Sequence, residues 1–225
     1  MKNLSTRLSK VASYVSKGSF VADVGSDHGA LPIYLVNEGI VPFTQAIENK
    51  EGPFLRLSKA VEEEALYPER ISLSLSSGLE ALDPRVDTVV IAGMGGRLIS
   101  SILEEHQEKL DKIETLILDA HSEWDVLLLT AAKLGYKVEE ESFFYEDNIW
   151  YSVWKLTKTD EDIIYSQAEL LFGPLECHRH NSDWQRFASE KKAQYERLLK
   201  NDIPEKRKAE IDKELKLLKE AMNED

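Results

Sequence analysis

The chain has 225 residues, 42% of them hydrophobic and 31% charged, enough for one substantial α/β domain with a small appendage. No apolar run approaches the roughly 18 residues of a membrane span, and no signal-like apolar leader follows the first basic residues, so a cytoplasmic protein outside membranes is expected. One cysteine, Cys177, excludes an internal disulfide, and a net charge of −13 excludes broad nonspecific affinity for nucleic acid.

The first predicted element is an amphipathic helix over Leu4–Val15. Leu4, Leu8, Val11, Ala12 and Val15 recur at helical spacing, Arg7 lies among them, and Lys17-Gly18 ends the run. A strand over Phe20–Asp23 follows. It empties into the loop Gly25-x-x-x-Gly29, with Asp23 two residues before the first glycine, and a helix over Leu31–Asn37 comes next. Strand, glycine-bounded loop and helix in this order cradle nucleotides in many α/β proteins. The middle glycine of the dinucleotide pattern is missing. The acid-x-Gly form is one that S-adenosylmethionine (SAM) methyltransferases carry; a plain strand-to-helix turn is the alternative.

The second strand, Thr44–Ile47, ends at Glu48, placed to accept hydrogen bonds from ribose hydroxyls or simply to open the polar loop behind it. Gly52-Pro53 starts a helix with Phe54, Leu57, Val61 and Ala65 on its apolar stripe. Ile71, Leu73 and Leu75 mark a third strand. The loop Ser76-Ser77-Gly78-Leu79 after it would lie beside the adenine of a bound nucleoside.

Asp87–Ala92 is a continuous apolar run, as a central buried strand requires, and it opens into Gly93-Met94-Gly95-Gly96. Three glycines at the carboxyl end of a central strand indicate close backbone approach to a ligand; Met94 is either a contact to that ligand or packing. Leu98, Ile99, Ile102 and Leu103 mark the next helix. A fifth strand, Ile113–Leu118, leads into Asp119-Ala120-His121, and a helix over Trp124–Leu134 stops at Gly135. Tyr136–Tyr145 and Trp150–Leu156 are strands joined by the turn Glu146-Asp147-Asn148, and so must run antiparallel. A parallel sheet finished by such a hairpin is the methyltransferase arrangement rather than the symmetric dinucleotide one.

Past Lys158-Thr159-Asp160-Glu161-Asp162 the character changes, which places a domain of residues 1–158 before a helical one of residues 159–225. Cys177-His178-Arg179-His180 suggests a metal, yet no second ligand cluster accompanies it, and none is expected to bind. From Asp183 two helices follow, joined by Asn201-Asp202-Ile203-Pro204. Trp184, Ala188, Tyr195, Leu198 and Leu199 form one stripe, and Ile211, Leu215, Leu218 and Met222 the other. Such a hairpin is either an RNA-contacting arm or a structural one. Monomer or weak dimer is the expected state.

Several of these residues resemble one known family. Leu4-Ser5-x-Arg7-Leu8, Asp23-Val24-Gly25-Ser26-Asp27-His28-x-x-Leu31-Pro32, Glu51-Gly52-Pro53, Gly78-Leu79, Ile91-Ala92-Gly93-Met94-Gly95-Gly96 and Phe172-Gly173-Pro174 are similar to motifs of the bacterial tRNA (adenine-22-N1)-methyltransferases, TrmK. The resemblance covers nearly the whole chain in the same order. It implies an α/β class I Rossmann-like methyltransferase domain with C-terminal helices, SAM as cofactor and tRNA as partner. It assigns Asp23, Gly25, Ser26, His28, Gly29, Glu48, Ser77, Gly78, Gly93 and Met94 to the cofactor. Arg7, Gly95, Gly96, Asp119 and His121 go to the substrate, and Asp27 takes the catalytic role, unless it merely caps the following helix. Lys10, Arg186, Lys191, Lys192 and Arg197 are candidates for phosphate contacts.

The chain departs from the family in two places. Asp119-Ala120-His121 stands where the family has Gln-Pro-Asn, and Gly29-Ala30 where it has Ala-Tyr. An ionised aspartate only accepts hydrogen bonds, whereas an amide also donates, and the lost aromatic removes a stacking surface. Three readings follow: a tRNA adenine-N1 methyltransferase, a methyltransferase of another substrate, or a non-catalytic SAM- or RNA-binding relative.

Overall fold

The computed structural model describes residues 4–174, 178 and 180–223. Seven strands form one sheet in the order β3-β2-β1-β4-β5-β7-β6. They are β1 Phe20–Val24, β2 Phe43–Glu48, β3 Ile71–Leu75, β4 Thr88–Met94, β5 Thr115–Ala120, β6 Tyr136–Glu146 and β7 Ile149–Lys158. The first five are parallel. β7 inserts antiparallel between β5 and β6, and β6 pairs antiparallel with β7. The sheet thus has the predicted parallel body and antiparallel finish.

Period-2 alternation divides the core. Val21, Val90 and Ile117 point to the face covered by α1 (Thr6–Ser13), α2 (Ala30–Asn37) and α3 (Glu51–Glu63). Ala22, Val24, Val89, Ile91, Leu116 and Leu118 point to the other, covered by α4 (Gly96–Glu105) and α5 (Trp124–Lys133). The same parity carries Asp23 and Asp119 onto the α1 face, two residues beyond Val21 and Ile117.

α1 is shorter than the period of its apolar residues suggests. Ser5 caps it by accepting from the Leu8 N–H at 3.2 Å, and the chain tightens after Ser13, where Tyr14 and Val15 donate to carbonyls three residues back. Val11, Ala12 and Val15 are buried beneath it; each valine contributes roughly 1.5–3 kcal/mol by leaving water. β4 in turn runs through Gly93 and Met94 rather than stopping at Ala92.

β6 carries a bulge. Its register shifts between Val138 and Glu140, and the Lys155 ammonium is shared by Glu139 and Glu140 at 3.0 Å each. The extra residue turns Glu141 inward, where its side chain is buried. Beyond the sheet lie α6 (Gln167–Phe172), α7 (Ser182–Leu199) and α8 (Glu205–Ala221). A capping box at Ser166 and Glu169 starts α6, and Asn181 caps α7. α7 and α8 form the predicted hairpin around Trp184, Ala188, Tyr195, Ile211 and Leu218, and this cluster reaches the sheet at Phe143.

Cys177 and Arg179 lie outside the described residues. Among the described residues no group of three or more His, Cys, Asp or Glu is placed to hold a metal ion, and no helix is long and apolar enough to cross a membrane.

Candidate active site

A cavity of about 470 Å³ opens at the carboxyl ends of β1, β2 and β4, where ligands bind in open α/β sheets. Gly25 and Asp27 line it from the first loop, Glu48 from the tip of β2, Ser77 and Gly78 from the loop after β3, and Gly93 and Met94 from β4. Seven of the expected residues therefore meet around one space.

Backbone bonds set the loop's shape. The Gly25 and Ser26 N–H groups both donate to the Ile47 carbonyl, at 2.9 and 3.1 Å, which fastens the loop to β2. Gly25 has φ +79°, and a Cβ there would come within 2.3 Å of the Met94 Cε, so the glycine is needed both for its conformation and for close approach. Ser26 is buried and donates to Asp23 Oδ2 at 2.5 Å, while Gly29 gives room to Leu57 and Val61. Ser26 and Gly29 thus shape the loop from behind. Neither they nor Asp23 lines the cavity.

Glu48 is buried, with its carboxylate held by backbone donors. Oε1 accepts from Asn49 and Lys50 at 3.0 and 3.2 Å, and Oε2 accepts from Asp27 at 3.4 Å. Remaining lone pairs on these oxygens can accept from a diol. Asp23 is the electrostatic cost of the site: burial pushes its carboxyl up to about 6, against the pull of the Ser26 hydroxyl and Arg7, with Glu48 adding repulsion.

Asp27 does not cap α2. Gly29 occupies the N-cap position, with no side-chain cap bond. Asp27 instead has φ +46°, is 59% exposed in its side chain, and faces Arg56 and His28 at 3.5 Å each. His28 lies outside the cavity lining.

The substrate candidates gather beside this cavity rather than in it. Arg7 Nη1 donates to Asp119 Oδ2 at 2.5 Å, and His121 Nε2 stands 3.8 Å from the same oxygen. His121 also meets the Tyr151 ring edge-on at 5.6 Å. A Cβ at Gly93 would lie 3.2–3.7 Å from Arg7 Nη1, Nη2 and Cζ, so the guanidinium rests on the backbone that borders the cavity. Gly96 serves packing. Its N–H donates to the Ser122 carbonyl, and a Cβ would strike the Glu123 and Ser122 carbonyl oxygens at 2.4 and 2.6 Å. Gly95, at the N-cap of α4, keeps Ser122 Oγ within 3.2 Å of its own missing Cβ.

Sequence reasoning missed Leu98, Ser101, Ile102 and Glu105, which line the cavity from α4. Their i, i+3, i+4, i+7 spacing was the available signal, offset by one residue from the Ile99–Leu103 core stripe. Of the proposed phosphate contacts, Arg186 is engaged within the fold, 4.7 Å from the ring centroids of both Tyr145 and Trp150.

A methyltransferase domain family matches residues 4–154. The tRNA (adenine(22)-N(1))-methyltransferase of Bacillus subtilis (strain 168) is 35% identical over 184 residues, covering 80% of this chain and 77% of that protein. The chain belongs to this methyltransferase family. A Streptococcus pneumoniae chain solved in complex with S-adenosyl-L-methionine superposes with a TM-score of 0.87 at 32% identity, covering 98% of this chain and 100% of that one. M. capricolum TrmK, solved with S-adenosylhomocysteine, gives a TM-score of 0.86 at 27% identity, with 98% of each chain covered. Members of the family solved with the cofactor or its product share the whole architecture, C-terminal helices included. The residues here fit that group: the glycine cradle at Gly25, the acceptor pair of Glu48 and a cavity of ligand size all suit an adenosine carrying an amino-acid chain.

Proposed function

We propose that the protein transfers a methyl group from SAM to ring nitrogen N1 of an adenine in tRNA, position 22 by its family. One observation carries the reading. A single cavity joins the acid-x-Gly loop, the β2 acid and the β4 glycines, in a chain whose relative bears that activity by name. Bound there, SAM supplies an electrophilic methyl on a sulfonium.

N1 of adenine is itself the nucleophile, so the chain need supply no covalent group; its task is orientation. Glu48 holds the ribose end, and the first loop through Gly25 and the β4 end at Gly93 hold the remainder. Because N1 lies on the Watson–Crick edge, the nucleotide enters unpaired or flipped. The base gains positive charge on methylation. Asp27, at the rim with its carboxylate exposed, stabilises that charge or accepts a proton from the exocyclic amine.

The test is mass spectrometry of nucleosides after incubating protein, SAM and unmodified tRNA. N1-methyladenine is the expected product. Asp119, in place of an amide, favours a second reading in which another base or substrate is methylated, and a different methylated nucleoside would establish it. SAM binding without any product would leave a non-catalytic relative. Asp27→Ala is expected to slow methylation on the order of 100-fold while SAM affinity, measured by calorimetry, stays within a few-fold. Full activity in that variant would remove Asp27 from the mechanism.

A further inference from the structure

Asp119 occupies a position that a direct contact to substrate does not explain. Its side chain is 0% exposed, while that of Arg7 is 24% exposed. The guanidinium therefore lies between the carboxylate and the outside. Among the described residues Asp119 Oδ1 has no hydrogen-bond partner, and Oδ2 is given to Arg7. Arg7, in contrast, rests on Gly93 at the border of the cavity, and its one hydrogen bond among the described residues uses Nη1 alone. A guanidinium carries five N–H donors in a rigid fork. Fixing one arm on a buried carboxylate orients the rest.

We infer that Asp119 is a positioning residue that acts through Arg7. It holds the guanidinium against Gly93 with its free donors turned to a hydrogen-bond acceptor of the incoming nucleotide. The pair is close to neutral as a unit. That matters where the base acquires a positive charge, because an uncompensated arginine beside it would oppose the reaction, whereas a paired one keeps its directional donors and loses most of its field. Sheet parity and helix placement build the pair: Ile117 and Asp119 face α1, and α1 brings Arg7 across the end of β5. His121, beside the same carboxylate and against Tyr151, closes the outer side.

The inference rests on the methyl-transfer reading, and wild-type activity on tRNA is measured first, so failure of that reading shows before any variant is made. Arg7→Gln, Asp119→Asn and the double variant are then compared by kcat, KM for tRNA, SAM affinity and melting temperature. Either single change is expected to lower kcat/KM on the order of 100-fold with SAM affinity unchanged, and the double variant to be no worse than the poorer single. Multiplying losses would show that Asp119 acts independently of Arg7 and overturn the inference. Arg7→Lys keeps the charge pair but not the fork, guarding against variants that merely fail to fold. It is expected to melt near wild type and still lose most of kcat; full activity would overturn the inference. Filter binding against salt identifies the acceptor. A slope lower by about one in Arg7→Gln marks a phosphate, and an unchanged slope with weaker binding marks the base. Unchanged tRNA affinity and unchanged KM in every variant would again overturn it.

Discussion

Two carboxylates are buried on either side of β7, paired with its adjacent residues Val153 and Trp154 and so on opposite faces of the sheet, and they are treated differently. Glu141 is stitched in. Its Oε1 accepts from Ser152 Oγ at 2.5 Å and Trp154 Nε1 at 2.9 Å, and its Oε2 faces His178 Nδ1 at 2.8 Å. His178 Nε2 lies 2.8 Å from the Phe172 carbonyl, which can only accept, so that nitrogen carries a proton. The imidazole is also stacked on Trp184 at 4.7 Å. Asp119 has one strong partner and one oxygen with none. The seam between sheet and C-terminal helices gives Glu141 Oε1 two donors and leaves Oε2 and His178 Nδ1 to their ion pair. At the site, by contrast, Asp119 Oδ1 has no hydrogen-bond partner among the described residues, and a further buried carboxylate is tolerated at Asp23. Incomplete partnering next to a cavity is the mark of a place meant to meet something.

That contrast predicts opposite signs for mutations at the seam and at the site. The largest effect is expected at the seam. Glu141→Leu strands His178, Ser152 and Trp154, and should cost about 3–5 kcal/mol in urea unfolding, with the kcat of the folded fraction unchanged. Glu141→Gln presents an N–H to a neutral His178 Nδ1, keeps Oε1 as acceptor, and should recover most of that loss. If both variants unfold alike, the polar partnership of Glu141 contributes nothing to the seam.

Next comes Asp23→Asn at the site, which should stabilise. The carboxyl is raised from 3.8 to about 6 in the fold, so the folded state holds its proton more tightly. The associated stability is fully present below pH 3.8 and lost as pH rises through about 6. The asparagine variant should therefore match wild type near pH 4 and exceed it by about 3 kcal/mol above pH 6, measured by chemical unfolding across that range. A constant difference at all pH values would refute the assignment to Asp23.

The smallest effect belongs to Arg186, which ties α7 to the hairpin tip through Tyr145 and Trp150. It is half exposed and shares charge with Asp183 and Glu190. Arg186→Ala should cost about 0.5–1 kcal/mol and leave the salt dependence of tRNA binding unaltered. A reduced slope would return Arg186 to the phosphate contacts.

Much of the fold was legible because its signals are local. Apolar runs of strand length, glycines at their carboxyl ends and the short turn at Asp147-Asn148 place the parallel body and the antiparallel finish without reference to tertiary structure. The cavity's Gly25, Glu48 and Gly93 were legible for the same reason. Arg7 and Asp119 could be singled out by family resemblance, but 112 residues separate them, and nothing local announces that they share a hydrogen bond. His178 drew notice for its neighbours as a metal ligand. Its partner Glu141 is the last of three consecutive glutamates, which the sequence alone does not tell apart. Only the bulge separates that glutamate from the two that hold Lys155.

That bulge sets the phase of everything after it on β6. One supernumerary residue near Glu139 works like a frameshift in the alternation of inside and outside. Upstream, Val138 follows one phase; downstream, Glu141 and Phe143 follow the other, and through them the terminal helices find their seat. With the same residues in unbroken alternation, Glu141 and Phe143 would fall on the wrong side of the sheet, and the bulge absorbs the extra residue so that they do not. The attachment of the C-terminal helices thus depends on one local break in a strand's alternation as much as on the identity of its side chains.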